Sequence, residues 1–201
     1  MHPTPEQIKA LQQAIDRVSP IPPELWDQAG PLFERRSYGE GEYLLRAGEV
    51  GEYSYFVWRG VVRLVYIAES GREYVKSFAV EGDFCGSFAS SLAKEPCRFY
   101  IQALEGCEVL RSRFDAITRL FPTDIRWERL GRRLAEWYAL LKERREAELL
   151  LDSAEERYRL FRQEYPGLEG RIAQRHIAAY LGITDVALSR IRRRLGLINP
   201  G

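Results

Sequence analysis

The sequence predicts an α+β protein: a β jelly roll towards the N-terminus, one long helix, then a small α-rich domain. Three observations carry this reading. From about Phe33 to Arg111, short apolar runs alternate with glycine-bearing turns, as in "EYLLRAGE" and "YSYFVWRGVVRLVYIAESGREYVKSFAVEGDFCGSF". From Thr123 to about Leu151, apolar residues recur at spacings of three and four. After Asp152-Ser153 the pattern breaks and restarts as shorter helical segments. Two domains are therefore expected, 1–152 and 153–201.

Composition bounds the function. Apolar residues make up 45% of the 201 residues, enough for ordinary buried cores. Lysine plus arginine number 30 against 29 aspartates and glutamates, so a nucleic-acid reading must rest on local charge. No apolar run approaches the ~20 residues of a membrane-spanning helix. "MHPTPEQIKALQQAIDRV" lacks the apolar core of a signal peptide. Cys85, Cys97 and Cys107 are odd in number and widely spaced, which argues for buried thiols and the cytoplasm rather than a disulfide framework. There is no metal-ligand spacing, nucleophile elbow or phosphate loop, and His2 and His176 are poor material for acid–base work. A non-enzyme without metal or cofactor is expected.

The elements follow in order. A first helix is expected from about Pro5 to Val18, and a short second one from Pro22-Pro23. In the β region, Tyr53, Tyr55 and Val57 alternate with Ser54 and Phe56, the period of a strand. In the long helix, about 123–151, Trp127, Leu130, Leu134, Trp137 and Leu141 form the seam of a coiled coil, which points to dimerisation. The alternative is that this face packs on the chain's own β roll. Ser153 with Glu156 is a capping-box pair that starts the next helix, whose apolar face is Tyr158, Leu160 and Phe161. "YPGLEG" ends it.

The last segment reads as two helices around a tight turn. The first spans about Gln174 to Leu181, with Ile177 and Leu181 inward and Ala178 small enough for a close crossing. Gly182 stands where the chain must turn left-handed, and Thr184 is a good N-cap. The second helix buries Leu188, Ile191 and Leu195 and projects Asp185, Val186, Ser189, Arg190 and Arg193. This is the pattern of a helix-turn-helix. Between Arg171 and Arg194 there are six arginines against one acid, Asp185. A helix fits the major groove of B-DNA: Arg190 can donate two hydrogen bonds to guanine, and Val186 can pack on a thymine methyl. Arg192, Arg193 and Arg194 lie at the helix end, within reach of phosphates. His176 is a phosphate contact or a plain surface histidine.

With these residues in view, the chain resembles the Crp/Fnr family of bacterial transcription regulators. "RIAQRHIAAYLGITDVALSRIRRRL" is similar to the family's helix-turn-helix, and "LRAGE", "WRGVVRLV", "SGRE" and "VEGDFCGSF" to its cyclic-nucleotide-binding jelly roll, with Gly48, Gly60, Gly71, Gly82 and Gly86 at its turns. The resemblance implies a cytoplasmic homodimer on a palindromic operator in double-stranded DNA, with RNA polymerase a candidate partner. It places base reading on Asp185, Val186 and Arg190 with Ser189 between, and phosphate contact on Gln174 and Arg175. The family carries an arginine and a glutamate where Asp185 and Val186 stand, so a different operator is implied. The hairpin that follows the family's second helix is not expected after "GLINPG".

The resemblance also places an effector segment at Gly86, Ser87, Phe88 and Ala89, closed by Cys97 and Arg98. Ser87 stands at the family's ribose-binding glutamate. Aligned on "IQAL", Cys97 stands at the phosphate-binding arginine and Arg98 at the hydroxyl residue; a slip of one would bring Arg98 in. The pocket is therefore read as degenerate or altered: cyclic AMP is not expected to bind and the effector is unknown. An iron–sulfur sensor would need four cysteines, and a haem sensor a histidine in the roll. The alternative function is a cyclic-nucleotide-binding-like signalling module whose C-terminal helices bind a protein partner.

Overall fold

The computed structural model describes residues 1–197. The chain forms two compact units, Met1–Val65 with Phe78–Ala139, and Tyr66–Ser77 with Leu140 onward. The segment after Leu197, where no hairpin is expected, lies outside the described residues.

The first unit holds α1 (Pro5–Asp16), α2 (Pro23–Ala29) and most of a β sandwich. Thr4 and Gln7 form a capping box at the start of α1, which ends two residues short of the expected Val18. The strands are β1 (Glu34–Tyr38), β2 (Tyr43–Leu45), β3 (Tyr53–Arg59), β4 (Val62–Ile67), β5 (Glu73–Ala79), β6 (Phe84–Gly86), β7 (Tyr100–Ala103) and β8 (Cys107–Arg113). They form two four-stranded sheets, ordered β1-β8-β3-β6 and β2-β7-β4-β5. The jelly-roll expectation and the observed architecture agree. Of the five glycines placed at turns, Gly48, Gly60, Gly71 and Gly82 have positive φ, whereas Gly86 lies in β6. Gly60 is needed twice over: its φ is 103°, and a Cβ there would stand 2.5 Å from Cys107 Sγ.

Both faces of the first sheet are covered. Tyr55 and Val57 point between the sheets, among Leu64, Cys97, Ile101 and Val109. Phe56 points the other way, with its cross-strand partner Leu110, into a core of Leu11, Leu25, Trp26 and Trp127. Alternation along β3 therefore separates two cores, not core from water.

The short α3 (Phe88–Ala93) follows β6, and α4 (Phe114–Thr118) follows β8. The long α5 runs Ile125–Leu151 and contributes to both units. The expected coiled-coil seam is split along it. Trp127 and Leu130 are buried in the chain's own helical core, Trp26 meeting Trp127 edge-on at 6.0 Å. Leu134 packs against the same core. By contrast Trp137 is 53% exposed and Leu141 half-buried, with its neighbour Leu140, outside the expected seam, 66% exposed. The cause is the apolar face of α1 and α2, which needs a cover and takes the first turns of α5.

In the second unit α5 ends at Leu151, and Ser153 and Glu156 form the expected capping box of α6 (Ala154–Glu164). Tyr158 and Phe161 are fully buried. The helices α7 (Gln174–Leu181) and α8 (Asp185–Arg194) complete the described fold. No helix among the described residues is long and apolar enough to cross a membrane.

Candidate nucleic-acid interface and effector segment

The turn between α7 and α8 has the local chemistry its sequence calls for. Gly182 has φ 73° and ψ 23°, a left-handed conformation at the end of α7. The amides of Gly182 and Ile183 both donate to the Ala178 carbonyl. Thr184 caps α8 by accepting from the Ala187 amide at 3.2 Å. This cap uses the hydroxyl as an acceptor and leaves its O–H free to donate. Leu188 and Ile191 are buried and Leu195 half-buried, so the opposite face is outward.

That face presents Asp185, Val186, Arg190 and Arg193, all exposed, with Ser189 partly so. Arg175 is exposed near the start of α7 and Gln174 half-buried beside it. Two of the arginines expected near phosphates are held elsewhere. Arg194 Nη2 lies 2.5 Å from Glu155 Oε2 at the start of α6. Arg192 Nε lies 3.6 Å from Glu169 Oε1, an ion pair too long for a hydrogen bond. Glu169 also pairs with Arg162 at 3.0 Å and accepts from the Tyr158 hydroxyl. Burial, and then this bond, push the Tyr158 phenol up to about 12. Neither Arg190 nor Arg193 forms an ion pair among the described residues. His176 is buried, on the same side of α7 as the buried Tyr180, and is no surface phosphate contact.

The carbonyls that end α7 are taken by two arginines which no motif marks. Arg145 of α5 donates to the Tyr180 carbonyl and Arg157 of α6 to that of Leu181. The i,i+3 pair of Arg145 with Glu148 is the only trace they leave in the sequence.

The effector segment is differently built. Ser87 is buried and precedes α3 without capping it. Ser90 and Ser91, one turn on, are buried too and bind the loop at Gly51: Ser90 Oγ accepts from the Gly51 amide at 2.9 Å, and Ser91 Oγ donates to the Gly51 carbonyl. Gly86 ends β6, half-buried, and a Cβ on it would stand 3.2 Å from the Tyr53 carbonyl. The Phe88 ring packs on Phe114 and Tyr138, and Ala89 next to it is exposed. Cys97 is inside the sandwich, donating to the Phe99 carbonyl at 3.3 Å, while Arg98 is exposed. Cys107 is buried and Cys85 half-buried, and burial pushes their thiols up to about 11 and about 12, respectively. Such thiols are poor nucleophiles at neutral pH.

Comparison with known proteins agrees with this architecture. The family model of the cyclic nucleotide-binding domain matches residues 35–124. The anaerobic regulatory protein of Haemophilus influenzae is 29% identical over 190 residues, covering 86% of this chain and 72% of that one. FixK2 from Bradyrhizobium japonicum has the same fold, with a TM-score of 0.70 at 23% identity over 82% of this chain and 84% of that one. The Thermus thermophilus catabolite activator protein gives 0.56 at 26% identity, over 90% of this chain and 88% of that one. The sandwich and the matched segment define a protein with a cyclic nucleotide-binding domain. With the helical segment that follows it, the chain is similar in architecture to the Crp/Fnr family of bacterial transcription regulators.

Proposed function

We propose that this chain is a dimeric, sequence-specific DNA-binding transcription regulator, cytoplasmic and without enzymatic activity, whose effector pocket is degenerate. The observation that carries the reading is the division of labour on α8. Arg192 and Arg194 are tied to Glu169 and Glu155, while Arg190 and Arg193 stay exposed and unpaired on one face with Asp185, Val186 and Ser189. A merely solvated basic helix has no need of that separation. In this reading Arg190 reads guanine, Val186 and Asp185 meet neighbouring base edges, and Arg193, Arg175 and Gln174 meet phosphates. Thr184 serves by holding the first turn of α8.

The DNA-binding domain is 153–201 and the sensor-like domain 1–152. The dimer contact is the second half of α5, where Trp137, Leu140, Ala147 and Leu151 are exposed at spacings of three, seven and four. Two reading helices about 34 Å apart then favour a palindromic site. RNA polymerase is the further partner this reading carries. Selection of bound sequences from random duplex DNA tests it. A palindromic consensus is expected, bound with strong salt dependence. A chain that binds no duplex at moderate salt but captures a protein through α7 and α8 would overturn it.

A further inference from the structure

Tyr180 and Leu181 are the last residues of α7, so their carbonyls have no partner within the helix. The amides of Gly182 and Ile183 both go to Ala178 and leave these two oxygens open. Arg145 and Arg157 fill them from two different helices. Arg157 Nε and Nη2 donate to the Leu181 carbonyl at 3.2 and 3.0 Å. Arg145 makes three contacts at once. It donates to the Tyr180 carbonyl, stacks its guanidinium 3.8 Å from the Tyr180 ring centroid, and pairs with Glu148 at 3.2 Å. Its side chain is only 17% exposed, and that of Glu148 only 9%. The Tyr180 hydroxyl then donates to Glu164 of α6 at 3.0 Å.

We propose that Arg145 is a positioning residue: it fixes the α7–α8 turn on the end of α5 and so sets the half-site spacing that the dimer accepts. This inference rests on the DNA-binding reading above. Asp185, the first residue of α8, lies only four residues past the clamped Leu181 carbonyl. A shift at Tyr180 therefore passes directly to the reading face. The other end of the lever is α5 itself, whose exposed face is the proposed dimer contact. Only arginine can hold the position. Its planar fork serves a carbonyl and a carboxylate together while its flat face lies on the ring, which an ammonium group cannot do. Glu148, which also accepts from Arg144 at 2.8 Å, keeps the guanidinium in place.

The test uses the full chain and a pair of operators that differ by one base pair between their half-sites. One base pair moves a half-site by about 3.4 Å along the duplex and turns it by about 35°. The wild-type protein should prefer one spacing by at least about tenfold, since a misplaced helix forfeits a bidentate base contact. Arg145→Lys should cut that preference to about two- to threefold as the planar hold is lost, with the base preference inside each half-site unchanged. Glu148→Gln, which keeps guanidinium and ring, should relax it in the same direction by less. Thermal unfolding verifies that both variants fold. Wild-type spacing discrimination in either folded variant, or changed base preference without changed spacing, overturns the assignment. A wild-type chain that selects no DNA sequence instead defeats the reading on which it rests.

Discussion

The backbone of Gly51 lies so close to Ser87 that a Cβ on the glycine would stand 2.9 Å from Ser87 Cβ. Ser90 and Ser91 hold the same residue by its amide and carbonyl. The backbone of this loop therefore fills the space directly against the side chain at 87. Cyclic AMP should bind with a dissociation constant above about 100 μM, because loss of the ribose carboxylate alone forfeits ~1.5–3 kcal/mol. Ser87→Glu should not restore binding, since the longer side chain must first displace Gly51. Calorimetry on both proteins decides it: tight binding by either would show an open pocket.

The two halves of α5 should respond differently to substitution. Trp127→Ala opens a cavity in the core beneath α1 and α2 and should cost ~3–5 kcal/mol in urea unfolding. Trp137→Glu lies in water in the single chain and should leave the unfolding of the protomer nearly unchanged. It should instead give a monomer mass in light scattering at micromolar concentration. Dimers that survive Trp137→Glu would place the interface elsewhere.

Arg190→Ala should weaken specific binding by ~1–3 kcal/mol per half-site and relax base preference at one position. Arg193→Ala should act evenly across sequences and flatten the salt dependence. Arg194→Ala, whose partner is Glu155, should change the salt slope little. A larger salt effect from Arg194→Ala than from Arg193→Ala would reverse the roles assigned here.

Asp124 makes stability depend on acid. The side-chain hydrogen bonds from Arg126, then the Arg126 amide, hold its carboxyl down at about 2. A depressed carboxylate stabilises the fold at pH values above its unfolded pKa, and that contribution fades as pH falls through the folded one. The contribution of Asp124 is thus present above about pH 4 and lost towards about pH 2. Asp124→Asn should flatten the urea midpoint against pH across this window. An unchanged slope would mean the pair contributes nothing beyond its exposed geometry.

Much of this protein is legible from local signals. Ser153 with Glu156, Gly182, and Thr184 act within four residues of chain, through caps and a left-handed turn. Consequently α6, α7 and α8 stand where the sequence alone puts them. Period two likewise puts Cys97 inside and Arg98 outside once "IQAL" is recognised as a strand. The resemblance to the Crp/Fnr regulators rests on the same local motifs.

Contacts between distant segments decided the rest. Trp127 and Trp137 are alike in sequence pattern, but only the first meets Trp26. Phe56 is buried because α1 and α2 cover the far side of its sheet, which alternation along β3 does not reveal. Arg192, Arg193 and Arg194 form one run, yet Glu169 and Glu155 pair with two of them and leave the middle one without an ion pair among the described residues. Arg145 bears no mark in the sequence of its grip on Tyr180. The elements and their caps are written locally, because those energies are settled within a turn or two of chain. Which apolar faces are covered and which charges stay free was decided only by the tertiary structure, because burial and ion pairing need partners that the chain brings in from far away.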